Sequence, residues 1–265
     1  MHAVLPFLEL EATGRALPVV ASIPHGGTFV PEWLASRFEP QQLEALWNSD
    51  WFLGELYDFL PALGVRLLVA THSRYVGDLN RREALAFGDF WKAMVPEKTA
   101  TGRPVYRERP TETELARMRD EHHRPYHERL NAILGELRSR FGHVYLLDLH
   151  SFFGIIDDDV CLGNADGATC AEPMMLSFEE GFRQQGFQTV RNRVFAGGYI
   201  TRHYGAQADV EALQVELRYT CYHDCSHIDE PIRPVPDPAR IAAARARLRS
   251  VFEHALARLL VSQAG

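Results

Sequence analysis

The sequence lacks the segments that send a chain across or into a membrane. The N-terminal stretch, Met1 to Pro6, has no basic region followed by an apolar one, which argues against a signal peptide. No apolar run approaches the roughly 18 residues of a membrane helix. We therefore expect a cytoplasmic protein without a membrane partner.

Cysteine and clustered positive charge are also scarce. Four cysteines in 265 residues impose no disulfide framework on a chain of this length, so we expect reduced thiols. The formal net charge is -7 and no block of Lys and Arg is present, which argues against a nucleic-acid partner. No repeat, low-complexity tract or linker divides the sequence. Since 46% of the residues are hydrophobic, the chain can bury a substantial core, and we predict a single domain over residues 1–265.

Short apolar runs alternate with helical patterns, which predicts an α/β fold with a mixed, largely parallel sheet flanked by helices. Strands are predicted over 19–24, 65–70, 144–148 and 212–219. Helices are predicted from residue 31, over 47–60, over 111–140 with an interruption at Pro125, over 174–185 and over 238–260. A loop is predicted at 163–167. The segment 82–110 is the least regular and is typical of a lid or an excursion over a site.

Two of the predicted strands bring a histidine to their carboxyl ends. The strand from residue 144 ends in Asp148 and His150, and the strand from residue 19 ends at His25, where Gly26 and Gly27 allow a sharp turn. Ligands of open α/β sheets bind beyond the carboxyl ends of the strands, so we interpret the two histidines as halves of one metal site. Taken alone, either could equally be an ordinary histidine at a strand end.

Asp50 and Glu216 complete a candidate catalytic site. Two histidines and the Asp50 carboxylate would leave one coordination position free for water, which is typical of catalytic zinc. We therefore predict one divalent metal ion, Zn²⁺, as the cofactor, because zinc lowers the pKa of its bound water to about 7. Glu216 is a lone acid in an apolar strand, where an unpaired carboxylate is costly. It is either the base of this site or the partner of a neighbouring arginine.

Four longer segments carry polar residues in a fixed order along the chain. They are Ile23–Gly27 (IPHGG), Ser73–Arg81 (SRYVGDLNR), Asp148–Ser151 (DLHS) and Gly197–Gly205 (GGYITRHYG). Together they resemble the N-formylglutamate amidohydrolase (deformylase) family, from about residue 18 to residue 220. The resemblance implies metal-assisted hydrolysis of N-formyl-L-glutamate to formate and L-glutamate, the last step of one route of histidine degradation.

The same segments resemble, more distantly, the zinc carboxypeptidases. This implies a carboxypeptidase-like (phosphorylase/hydrolase-like) fold, with His25 and His150 on the metal, Asn80 and Arg81 on a substrate carboxylate, and Glu216 as the base.

The third metal ligand departs from the carboxypeptidase pattern. Carboxypeptidases have a glutamate three residues after the first histidine, and Thr28 stands there in this sequence. We predict Asp50 instead, which lies where the deformylases have an acid. Glu32, in the helix predicted just after the first histidine, is the alternative.

A substrate with two carboxylates calls for more than one cation. Arginine is the expected choice because its planar guanidinium pairs with a carboxylate through two hydrogen bonds. Arg74, Arg81 and Arg202 lie in the matched segments and are the candidates. For each of them the alternative is a structural ion pair.

Other polar clusters are interpreted more simply. The Cys and His residues of 221–227 have no second cysteine pair to close a tetrahedral site, so we expect no structural zinc there. His122, His123 and His127 are interpreted as a solvated or rim face of a helix, where His123 or His127 could contact substrate. Asp148 is expected to orient its neighbouring histidine, and Asp78 to anchor its own loop.

Two alternatives to a deformylase remain open. A related zinc hydrolase of another N-acyl amino acid, or of a peptide C-terminus, would have the same metal site and a different side-chain pocket. A small-molecule binding protein without catalysis would lack the base or a ligand, and the presence of His25, His150 and Glu216 together argues against it.

Overall fold

The computed structural model describes residues 4–84 and 86–261 and is organised around one seven-stranded sheet. The strands along the chain are β1 Phe7–Leu10, β2 Val19–Ile23, β3 Arg66–Ala70, β4 Phe87–Gly88, β5 Val95–Pro96, β6 Val144–Phe152, β7 Val160–Gly163, β8 Thr189–Arg191 and β9 Val210–Arg218. The sheet has the order β1-β3-β2-β6-β9-β7-β8, and β4 pairs only with β5. Strands β3, β2, β6 and β9 are parallel, whereas β1 and β7 pair antiparallel with their neighbours β3 and β9.

Helices cover both faces of this sheet, which confirms the predicted α/β fold with a mixed, largely parallel sheet. The helices are α1 Glu32–Ala35, α2 Pro40–Ala45, α3 Leu53–Leu56, α4 Glu112–Met118, α5 Arg124–Phe141, α6 Glu172–Gln184, α7 Tyr199–Gly205 and α8 Pro238–Val261. Apolar residues of α5 and α7 pack on one face, and those of α3, α6 and α8 pack on the other. No helix of the described residues is both long enough and apolar enough to span a membrane.

The helix predicted over 47–60 is wrong for most of its length. Leu46, Asn48 and Phe52 have positive φ angles of 47°, 63° and 58°, which a helix cannot accommodate, and α3 begins only after them. Between these turns the backbone N–H of Asp50 donates to the carbonyl oxygen of His25 over 3.0 Å. The segment is therefore folded around the end of β2, and tertiary contacts override its helical pattern.

The long helical segment is interrupted just before Pro125, and not at Pro125 itself as predicted. A π-helical turn, Arg119–His123, separates α4 from α5. Pro125 lies in the first turn of α5, where its missing N–H costs little.

Candidate metal and active site

The register of β6 and β9 places four polar side chains on one face of the sheet. His150 is paired with Glu216, and Asp148 is paired with Gln214. Side chains alternate between the two faces of a strand, and Leu146 of β6 packs with α5. Residues 148 and 150 follow at steps of two, so they share the α5 face near the carboxyl ends of the strands.

His25 and Asp50 reach the same place from two loops. His25 follows β2 directly, and the hydrogen bond from the Asp50 N–H to the His25 carbonyl ties the loops together. The turn requires glycine at position 27, because the Cβ of any other residue would lie 2.4 Å from the carbonyl carbon of Thr71. Left-handed conformations at non-glycine residues cost on the order of 1–3 kcal/mol each. The three such residues around Asp50 indicate that the fold holds this carboxylate against local preference.

The three predicted ligands converge. One ligand atom from each of His25, Asp50 and His150 lies within 4.8 Å of the others, and all three residues are buried. The Nδ1 atoms of His25 and His150 lie 3.6 Å and 3.0 Å from the same oxygen, Oδ2 of Asp50. Glu32, the alternative third ligand, is exposed on α1 and lies outside this group.

A second carboxylate lies next to the Nε2 atom of each histidine, on the opposite side of the ring from Asp50. Nε2 of His25 lies 2.7 Å from Asp78, and Nε2 of His150 lies 3.1 Å from Asp148. Thr201 donates to the other oxygen of Asp148 over 3.0 Å. Carboxylate–histidine pairs of this kind orient imidazole ligands in metal sites.

The electrostatics of the group favour a cation. Burial raises the pKa of Asp50, but interactions with His150 and His25 outweigh it and hold that pKa below its ordinary value. Burial lowers the pKa of His150, but Asp148 and Asp50 outweigh it and raise that pKa well above its ordinary value. Two imidazole nitrogens and one carboxylate oxygen are also a donor set that suits a divalent ion such as zinc. The residues therefore fit the predicted metal.

Glu216 lies beside the group and forms no ion pair with any described residue. Its Oε1 accepts a hydrogen bond of 2.8 Å from Gln214, whose own Oε1 accepts from the N–H of Gly198. Burial raises the pKa of Glu216 to about 8. A buried carboxyl with a raised pKa in a cleft is typical of a functional group, whereas the alternative of an arginine partner finds no support.

A cavity of about 450 Å³ opens at this edge of the sheet. His25, Asp50, His150 and Glu216 all line it, as expected for a site beyond the carboxyl ends of the strands. The segment predicted as an excursion over a site, 82–110, contributes part of its wall.

Asn80 and Arg81 also line this cavity. The Asn80 oxygen accepts from the N–H of Ile200 over 2.8 Å, so its amide nitrogen faces His150 Nε2 at 3.1 Å. Arg81 donates to the carbonyl oxygens of Phe90 and Asn80 over 3.1 Å and 2.7 Å. It pairs with no carboxylate among the described residues.

The other two predicted substrate arginines have different surroundings. Arg74 lines the cavity but is buried and forms an ion pair of 2.6 Å with Asp78. This ion pair ties together the loop that carries both residues. Arg202 is exposed, donates to the carbonyl of Gly197 over 2.8 Å and lines a neighbouring cavity instead. The structure therefore does not bring Arg202 together with His25, Asp50 and His150.

The sequence did not reveal Arg103, which also lines the main cavity. Its guanidinium lies over the ring of Trp47 at 4.2 Å from the centroid. No spacing or motif marked this residue, because it lies in a turn of the irregular segment.

The helical histidines are not a solvated face, so that prediction is wrong. His122 and His123 are buried, and His123 and His127 lie 2.9 Å from the carbonyl oxygens of Arg81 and Leu79, one on each side of Asn80. Burial lowers the pKa of His127 to about 3, so the ring is neutral and donates through Nε2. The two residues support the backbone of the Asn80 segment. A charge-based pattern could not distinguish this role from a surface one.

The cysteines of 221–227 are free, and the described residues contain no second group of His, Cys and acidic side chains with the geometry of a metal site.

The sequence matches a known protein family and named relatives over most of its length. The family model for N-formylglutamate amidohydrolases matches residues 17–223. A protein of Pseudomonas aeruginosa named N-formylglutamate deformylase is 35% identical over 273 residues, covering 97% of both chains. A second protein of that name, from Pseudomonas putida, is 33% identical over 236 residues, covering 84% of this chain and 86% of the relative.

A solved structure shows the same fold. The N-formylglutamate amidohydrolase from Ralstonia eutropha JMP134 is 24% identical, covers 98% of each chain and superimposes with a TM-score of 0.81. Since the family model matches most of the sequence and two relatives align along most of its length, the chain belongs to the N-formylglutamate amidohydrolase family of hydrolases.

Proposed function

We propose that this hydrolase cleaves N-formyl-L-glutamate to formate and L-glutamate with the help of one divalent metal ion, Zn²⁺. The observation that carries the proposal is the convergence of His25, Asp50 and His150 on one point, in the same cavity as the unpaired carboxylate of Glu216. The names of the Pseudomonas relatives support the choice of substrate.

Glu216 is the proposed general base and acid. A metal ion held by His25, Asp50 and His150 would act as a Lewis acid and lower the pKa of water in the site. Glu216 would take a proton from the attacking water and return it to the leaving amine. Gln214 would hold the Glu216 carboxylate in position during both transfers, through its hydrogen bond of 2.8 Å.

Asn80 and Arg81 are proposed to bind the substrate's α-carboxylate. Arg81 is free of carboxylate partners among the described residues, and Asn80 directs its amide nitrogen towards the metal-binding histidine His150. Arg74 is proposed to position this loop through Asp78. Arg202 could contact only a substrate that extends into the neighbouring cavity.

Formate release from a panel of N-formyl and N-acetyl amino acids, with metal content measured on the same samples, tests the proposal. We expect N-formyl-L-glutamate to be the best substrate and about one metal ion per chain to be bound. His25→Ala and His150→Ala should lose both activity and metal, whereas the exposed His227→Ala should keep both. Absence of formate release, or full metal content and activity in both site variants, would overturn the proposal. Faster release of acetate would favour the related N-acyl hydrolase.

A further inference from the structure

The substrate proposed above carries two carboxylates, and the cavity must balance both. Arg81 can serve the α-carboxylate, but the side-chain carboxylate has no partner so far. A buried or half-buried anion without a cation is costly, so a glutamate-selective site needs a second charged donor.

Three arginines in or near the cavity remain as candidates, and they differ in the ion pairs and hydrogen bonds that they already form. Arg74 is committed to Asp78 at 2.6 Å and to the carbonyl of Asn48 at 3.2 Å. Arg202 opens into the neighbouring cavity. Arg103 lines the main cavity and forms no ion pair or side-chain hydrogen bond with the described residues. Among the described arginines that line this cavity, Arg81 and Arg103 are therefore without a carboxylate partner, and Arg81 is already assigned to the α-carboxylate.

Local structure holds Arg103 in place. Thr99 and Arg103 close a tight turn, in which the Thr99 N–H donates to the Arg103 carbonyl over 2.8 Å and the Arg103 N–H donates to Thr99 Oγ1 over 3.1 Å. Gly102 has a φ of 86°, which a glycine adopts without strain. The N–H of Ala100 donates to the side chain of Asn48, so the turn is tied to the loop that carries Asp50.

The ring of Trp47 orients the guanidinium. A guanidinium over an indole face is attracted by the ring quadrupole and keeps its N–H groups free at its edge. The planar edge can then pair with a carboxylate through two hydrogen bonds. A stacked arginine loses less freedom on binding than a mobile one, which favours selectivity.

We infer that Arg103 binds the side-chain carboxylate of the substrate and sets the preference for glutamate. The inference rests on the proposed function, because it assumes an N-formyl amino acid in this cavity. It departs from the sequence-based candidate Arg202.

Kinetic selectivity tests the inference. The ratio of kcat/KM for N-formyl-L-glutamate to that for N-formyl-L-glutamine should fall by about 10- to 100-fold in Arg103→Met, the size of a lost charge-assisted hydrogen bond. Arg103→Lys, which keeps the charge without the planar edge, should give a smaller fall. Arg107→Met is the matched control, because Arg107 is exposed in the same segment and does not line the cavity. Its ratio should stay at the wild-type value.

Equilibrium binding of L-glutamate and L-glutamine separates this inference from the proposed function. Arg103→Met should lose about tenfold or more of the affinity for L-glutamate relative to L-glutamine, whether or not formate is released. If the wild type releases no formate while this loss is seen, the proposed function fails, and recognition of the glutamate side chain by Arg103 is the part of the inference that stands. Unchanged selectivity and binding in folded Arg103→Met and Arg103→Lys, or their loss in Arg202→Met instead, would overturn it.

Discussion

Hydrogen bonding at the two histidines of the candidate metal site determines which ring nitrogen is available. A carboxylate only accepts, so the hydrogen bond of 2.7 Å between His25 Nε2 and Asp78 Oδ1 keeps a proton on Nε2 of His25. Nδ1 of His25, 3.6 Å from Asp50, then keeps its lone pair, whereas Nδ1 of His150 donates to Asp50 over 3.0 Å and would give up that proton to a bound metal. Asp78, which is fully buried, therefore selects the tautomer of His25 that can bind a metal through Nδ1.

Replacing Glu216 with glutamine removes its basicity and keeps its shape. We expect formate release to fall by a factor of roughly 100 or more, in line with the usual contribution of a general base. Metal content should stay at the wild-type level, because Glu216 is not a ligand in the proposal. Glu253→Gln, an exposed acid on α8, is the control for the loss of one charge. Turnover of Glu216→Gln close to the wild-type rate would contradict the assignment.

Arg81→Lys keeps a positive charge and loses the planar pair of donors. We expect kcat/KM to drop by a factor equivalent to about 2 kcal/mol of activation free energy for every N-formyl amino acid, because all of them carry the α-carboxylate. An N-formyl amine without that carboxylate should be a poor substrate for both enzymes and show little difference between them. Equal losses for substrates with and without the α-carboxylate would mean that Arg81 acts through structure alone.

The positions of single site residues could be predicted where a residue directly follows or ends a predicted strand. His25 and His150 stand at the ends of apolar strands, so strand direction alone brings them to one edge of the sheet. Arg103 lies in a turn whose path depends on contacts with Asn48, and no local pattern encodes that path. His123 and His127 occur among charged residues, so their burial under the Asn80 loop had no sequence signal.

At the scale of elements, the start of α7 joins the two halves of the site. Gly198, which precedes α7, donates its N–H to Gln214 over 2.6 Å, and Gln214 donates to Glu216. A Cβ on Gly198 would lie 2.2 Å from the amide nitrogen of Asn80. The absence of a side chain at this one position therefore lets the Asn80 loop and strand β9, which carries Glu216, approach each other.

Gly198→Ala should force these elements apart. We expect a loss of at least tenfold in kcat/KM and about 1–3 kcal/mol in the free energy of unfolding, since overpacking of a close contact has that cost. Gly135→Ala is the control, because an added Cβ in the middle of α5 meets nothing within 4 Å. That change should stabilise the protein by about 0.5–1 kcal/mol. Kinetics and thermal unfolding of the two variants check both expectations, and wild-type kinetics in Gly198→Ala would count against the close approach.

The strands and long helices were predictable from periodicity, and the segment around the site was not. The pattern over 144–148 led correctly to β6, and the long pattern from 111 led to α4 and α5. The apolar residues of 47–60 have helical spacing, but they pack around Asp50 in a loop with three left-handed residues. Tertiary contacts override local preference at this candidate site, and prediction from local propensity is expected to fail at functional or strained sites.

At the scale of the whole molecule, the site concentrates negative charge within an already acidic protein. The carboxylates of Asp50, Asp78, Asp148 and Glu216 are all buried around the histidine pair. Arg74 and Arg81 are the arginines beside them. In the state that metal binding and general base catalysis require, with all four carboxylates ionised and both histidines neutral, two negative charges are left over. A divalent cation would neutralise the excess. The fold therefore leaves a charge imbalance at its centre that a metal ion would remove.

Metal removal should accordingly destabilise the entire fold as well as abolish activity. A ligand that binds only the native state stabilises it by an amount set by its concentration relative to Kd, about 3 kcal/mol when free metal exceeds Kd by roughly 100-fold. We therefore expect the unfolding temperature to drop after treatment with a chelator and to recover when Zn²⁺ is added back at constant pH. His150→Ala should show no such difference with and without metal, whereas His227→Ala should respond like the wild type. An unfolding temperature of the wild type that does not respond to chelation would contradict a metal at His25, Asp50 and His150, because burying four carboxylates beside two arginines would then need no further cation.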